Sequence, residues 1–324
     1  MEDMNLFDRF QAAFEEAPPG GAFERLQTDL MKHSAARGAR PAFHMRSSRM
    51  SLRLTAAVAV VLVAIALVAA YIAAQRPSVG SVPAGYSVAA YQSMVQANYN
   101  AWLGAPFNCH TVADSSCATD LAGNQAVLLK WRSELDSFRT PNQFAVIDAQ
   151  MRKHLDAMLQ KLSVAATAVS SQNQNLLDNA MFYGFIDITW LDHAAQGIAS
   201  SHVATSSQYV ALVQAERANL MNGCSGCQSD ATLGDCAAIG DPLCPHDVTT
   251  DSDFIGTMQA DFVKTAAPAE FRDRSSTLQI DLAQADNALM AAGNALLQND
   301  AVALKSARAA YLDAMTAVSA DLQS

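Results

Sequence analysis

FAVIDAQMRKHLDAMLQKLSVAATAV, residues 144–169, and FRDRSSTLQIDLAQADNALMAAGNAL, residues 271–296, carry apolar residues in one matching pattern. In the first, Phe144, Met151, Leu155, Met158, Leu162, Ala165 and Val169 recur about every 3.5 residues. In the second, Phe271, Leu278, Leu282, Ala285, Leu289, Ala292 and Leu296 follow at a constant offset of 127. This period puts one apolar stripe on one face of a long helix. Two long helices with the same stripe predict an all-α protein built from an internal duplication.

The match extends outward. YQSMVQA at 91–97 returns as YVALVQA at 209–215, at an offset of 118, so Tyr91 maps to Tyr209 and Trp102 to Leu220. Downstream, Val127, Leu128, Trp131 and Leu135 map to Phe254, Ile255, Met258 and Phe262 at 127. The second copy therefore has nine extra residues, expected inside its cysteine-bearing loop, where insertions are tolerated. Each copy reads as a four-helix unit: 87–103, 121–139, 142–171 and 174–200, then 206–222, 252–266, 269–298 and 300–322. Pro141 and Pro268 stand at the start of the third helix, where a missing N–H costs little. Short polar connections at 170–175 and 298–300 favour antiparallel neighbours.

The last helix of the first copy, LLDNAMFYGFIDITWLDHAAQGI at 176–198, is apolar nearly all round. Such a helix is covered on more than one side. It is expected to lie against the other copy or a partner chain, while 300–322 faces water. Gly184 stands where the second copy has Tyr311, so close packing or a small-ligand pocket near Gly184, Phe185 and Trp190 is expected there.

Upstream of the bundle, LTAAVAVVLVAIALVAAYIAAQ between Arg53 and Arg76 has no charge. It is long enough to cross a bilayer as one transmembrane helix, placed at 54–75. Arg37, Arg40, Arg46, Arg49 and Arg53 precede it and Arg76 alone follows closely, which predicts a cytoplasmic N-terminus and an extracytoplasmic C-terminal part at the plasma membrane. The segment is too long, and begins too late, for a cleaved signal. Residues 77–86 then read as a Pro/Gly/Ser stalk, followed by repeats at 87–200 and 206–324.

Residues 1–50 hold two short amphipathic helices, marked by Leu6, Phe7, Phe10 and Phe14, and by Phe23, Leu26, Leu30 and Met31. Helices this short need a partner surface, the membrane or each other. The order of small cytoplasmic segment, span and exported domain resembles the layout of anti-sigma factors, which implies docking of a cytoplasmic regulator. The resemblance covers layout alone, since His33 and His44 have no cysteine partners before the span for the zinc pattern of many such modules.

Charge is uneven. Residues 1–76 hold 9 Lys/Arg and 7 Asp/Glu, and residues 77–324 hold 12 and 24. An acidic exported part argues against nucleic acid as a partner. All six cysteines lie there, at Cys109, Cys117, Cys224, Cys227, Cys236 and Cys244, and an even count beyond a span predicts disulfides. Cys109 and Cys117 form the expected pair of the first copy. Alignment from both ends favours Cys227–Cys244 with Cys224–Cys236 in the second, while Cys227–Cys236 with Cys224–Cys244 stays open. A zinc site from the CSGC stretch is disfavoured, because its spacing is loose and the first copy has two cysteines only.

No Glu-x-x-His pair suited to di-iron, no phosphate-binding glycine loop and no nucleophile motif occurs. His154 and His193 read as surface or internally satisfied residues. Asp247, Asp251 and Asp253 lack the glycine and distal glutamate of a calcium loop, and Asp251 or Ser252 is expected to cap the following helix. No cofactor, metal or catalytic residue is expected. The expected roles are interaction or sensing without catalysis, with the lipid bilayer and a protein partner, reached through 1–50 or 174–200, as contacts.

Overall fold

The computed structural model describes residues 87–107, 109–222, 233, 236, 238–241 and 244–323. The cytoplasmic segment 1–50, the span 54–75, the stalk 77–86, and Cys224 and Cys227 lie outside them. Among the described residues no helix is long and apolar enough to cross a membrane.

The described chain is mostly helical, with eight α-helices. In the first half come α1 (Val88–Leu103), α2 (Cys117–Ser137), α3 (Ala145–Ser170) and α4 (Gln174–Ala199). The second half has α5 (Ser206–Asn222), α6 (Cys244–Lys264), α7 (Arg272–Gln298) and α8 (Ala301–Gln323). A two-residue parallel bridge, β1 (His202–Val203) to β2 (Thr265–Ala266), ties the connection between halves to the end of α6. The described residues form one compact unit.

Local features recur at the offsets read from the sequence. Tyr91 stacks on Phe144 at 5.3 Å between ring centres, and Tyr209 on Phe271 at 5.3 Å. A single 3-10 turn follows Pro141 and Pro268 before each long helix. Gln172 and Asn299, 127 apart, both take the left-handed conformation, with φ of 54° and 56°. Each is followed by an N-cap: Asn173 Oδ1 accepts from Leu176 N, and Asp300 Oδ1 from Ala303 N. A left-handed residue that ends one helix beside a cap that begins the next makes a tight reversal, so α3 and α4, and α7 and α8, pack as antiparallel neighbours.

The structure corrects three expectations. First, Cys236 closes on Cys244, as Cys109 closes on Cys117, each pair eight residues apart. Neither expected pairing of the second half occurs, because Cys236 and not Cys227 occupies the position equivalent to Cys109. The nine extra residues therefore precede Leu233. The Asn124 side chain donates to the Pro106 carbonyl at 2.9 Å, and the carboxylate of its equivalent, Asp251, accepts from Leu233 N at 2.7 Å. Leu233 is thus already in the 127 register with Pro106.

Second, α2 and α6 begin at Cys117 and Cys244, not at 121 and 252. A disulfide cysteine opens each helix, and the polar run after Cys244 hides its first two turns. Third, Asp251 and Ser252 are not caps. Both are buried within α6, and the bond to Leu233 N replaces solvent for the Asp251 carboxylate.

The apolar helix α4 lies inside the unit, with α1 and α3 on one side and α6 and α7 on the other. The outer face of α8 is exposed, as expected.

Candidate functional site

The halves meet where α3 and α4 face α6 and α7, and backbones approach closely there. A Cβ on Gly197 would lie 2.8 Å from the Ala260 carbonyl oxygen, and one on Gly256 would lie 3.3 Å from both His193 Cδ2 and Trp190 Cδ1. Glycine is required at 197 because the obstacle is backbone, which cannot turn aside.

A charged cluster is sealed in this seam. His154 on α3 is fully buried, as are Asp187 on α4 and Asp286 on α7. Nδ1 of His154 lies 2.9 Å from Asp187 Oδ1, and Nε2 lies 2.8 Å from Asp286 Oδ2. Lys161, two turns along α3, donates to Asp187 Oδ2. Gln150 donates to Asp286 Oδ2 at 2.7 Å and to the Ala283 carbonyl at 3.0 Å. The indole of Trp190 stacks on the imidazole at 4.2 Å and donates to Gln259 Oε1 at 2.7 Å.

This geometry fixes the charge of His154. A neutral imidazole donates from one nitrogen only, yet both nitrogens here face carboxylate oxygens. The imidazolium donates to both. Burial by itself would push its pKa down, but the charge of Asp286 and the hydrogen bonds it donates to both carboxylates overcome that and hold it up at about 9. Two carboxylates and two cations thus balance inside an apolar seam, where an unpaired charge would be expensive. The ring nitrogens point to opposite sides, so the carboxylates do not converge on one point. Among the described residues no group of three His, Cys, Asp or Glu is arranged to hold a metal.

The cluster has no equivalent within either half. At the 127 offset His154 becomes Asp281, Lys161 becomes Ala288 and Asp187 becomes Ala314. It belongs to the joint and not to the repeated unit. Of its members, sequence reading had singled out His154 and Trp190 alone. A signal was present: Asp187 interrupts the most apolar helix, and His154 and Lys161 share one face of α3 beside Leu155 and Met158. Asp286, 132 residues from His154, gave no such sign.

Of the expected ligand residues, Trp190 is occupied by His154 and Gln259. The space beside Gly184 holds Met158, whose Sδ would be 3.3 Å from an added Cβ. Phe185 is half-buried on the same helix. His193, expected to be a surface or internally satisfied residue, pairs with Asp253 at 2.8 Å at the partly exposed edge of the seam. The structure also shows a surface ion-pair group of Arg132, Asp136, Arg152 and Asp156 joining α2 to α3, which sequence reading had not singled out.

Comparisons with protein-family models, with curated proteins and with solved structures found no match.

Proposed function

We propose that the chain is a membrane-anchored protein whose C-terminal helical unit, an internal duplication, works outside the cytoplasm in interaction or sensing rather than catalysis. The observation that carries this reading is the uncharged stretch 54–75, with five arginines before it and an acidic, disulfide-bearing unit behind it. The two disulfides support an oxidising compartment. The cluster around His154 supports a structural role for those ionisable groups, since they are closed to solvent and, Asp286 Oδ1 apart, spend their hydrogen bonds on one another and on Gln150. Residues 1–50 are then the segment within reach of a cytoplasmic partner, in the manner that the anti-sigma layout implies.

The test is topology in intact cells. Full-length protein should stay in the membrane pellet through an alkaline carbonate wash, and removal of 54–75 should release it. Protease added outside spheroplasts should degrade the 85–324 unit while an N-terminal tag survives. A protein that washes off, or a C-terminal unit reached only after lysis, would reject the reading.

A further inference from the structure

The first helix of each half packs at the edge of its bundle, and the two are held very differently. In the first half, polar bonds clamp α1. Tyr91 Oη donates to Asp148 at 2.5 Å, and Asn98 Nδ2 to Glu134 at 2.6 Å. Gln92 Nε2 donates to the Ile198 carbonyl at 2.8 Å, and Tyr99 Oη to Asp192. Trp102 packs against Trp131 at 6.3 Å.

In α5 the equivalents are Tyr209, Glu216, Val210, Arg217 and Leu220. The partners change as well: Asp148 becomes Ser275, Glu134 becomes Asp261 and Asp192 becomes Ser319. One clamp is thus inverted. Where Asn98 donates to a carboxylate, Glu216 is almost fully buried, and a second carboxylate, Asp261, stands on α6 at the position equivalent to Glu134. Beside it, where Tyr99 and Trp102 fill the first half, a cleft of about 540 Å³ opens along Leu220, Leu312, Met315, Ser319 and Gln323.

We propose that α5 is an acid-closed edge helix: the buried Glu216 facing Asp261 holds it in place when protonated and loosens it when ionised. Burial and Asp261 favour the protonated carboxyl, and Asn219 opposes them. From α6, Asp261 faces it. The α8 side chains that line the cleft are Leu312, Met315, Thr316, Ser319, Ala320 and Gln323, while Asp313 and Asp321 of the same helix are not among its lining residues. Asn219 on the same helix reaches Glu216 at only 3.4 Å. Arg217 leaves the helix about 100° away, and Glu270 is bound to Ser206 at the far N-terminal end of α5. Burial first, and then Asp261, raise the pKa of Glu216 above the ordinary carboxyl range. A raised carboxyl favours the closed form below its ordinary pKa, and that contribution disappears as pH rises through the folded value. This deepens the sensing role proposed above by naming the signal, and the device operates wherever the unit is located, so its test is separate from that of topology.

Hydrogen exchange of the full-length protein, corrected for intrinsic rates, tests it between pH 5 and 8. In the wild type, opening of α5 should increase with pH between the ordinary carboxyl pKa and the raised value of Glu216, by at most tenfold per unit, and level off above it, while α1 stays level. Glu216→Gln and Asp261→Asn should each flatten the α5 profile and raise its protection at pH 8. Asn98→Glu should make α1 pH-dependent. Equal pH profiles for α1 and α5 in the wild type, or an unchanged α5 slope in Glu216→Gln, would overturn the proposal.

Discussion

His154 and Asp286 stand 132 residues apart in the chain and 2.8 Å apart in space, one from each half. Their contact is a charged bond inside an apolar joint, completed by Asp187, Lys161 and Gln150. Removal of one member leaves its partner charged and dry. His154→Ala is therefore expected to destabilise the folded unit by about 3–5 kcal/mol, and Asp286→Asn by a smaller amount, as read by urea unfolding at pH 7. A loss below about 1 kcal/mol in His154→Ala would mean that water reaches the cluster.

The same bond sets a pH dependence. Its folded pKa of about 9 lies above the ordinary 6.5. The stability from the raised histidine is complete below about 6.5 and is lost as pH rises through about 9. Unfolding midpoints measured from pH 6 to 10 should fall over that window in the wild type. Once allowance is made for other groups, His154→Leu should lack this component.

Helical glycines are expected to divide by what a methyl group would meet. Gly197→Ala drives Cβ into the Ala260 backbone and should lower stability by about 1–3 kcal/mol. Gly123→Ala meets nothing within 4 Å on an exposed face of α2, and should stabilise by about 0.5–1 kcal/mol through helix propensity. Thermal melts of the two variants check the contrast.

Non-reducing peptide mapping should recover Cys109–Cys117 and Cys236–Cys244. Cys236→Ser should lower stability by about 2–3 kcal/mol, the value for closing so short a loop. Peptides linking Cys244 to Cys227 would contradict the structure.

Much of this fold was legible. The stripe from Phe144 to Val169 and its partner from Phe271 to Leu296 located α3 and α7, and the nearly all-apolar 176–198 run foretold a helix covered on two sides. Helix beginnings were harder to read. Cys244 opens α6 within a polar run, and Asp251 resembles a cap until Leu233 N is seen bound to it. The cysteine pairing failed for a related reason: counting from the left assumed that the insertion followed Cys227, whereas the 127 register is already established at Leu233. The cluster in the joint was least visible. A helix stripe reports which residues turn inward, but not which distant carboxylate an inward histidine will meet.

The Asn124 amide gives a proton to the Pro106 carbonyl, whereas the Asp251 carboxylate takes one from Leu233 N. Pro106 has no N–H, so the first loop offers nothing to a carboxylate in the place of Asn124. Putting 104–109 in the place of 231–236, without the helix that follows, would set the Asp251 carboxylate against a carbonyl. The halves keep one outline yet have ceased to be interchangeable parts: two first halves would set Leu159 where Asp286 meets His154, and two second halves would have Asp281 in place of His154.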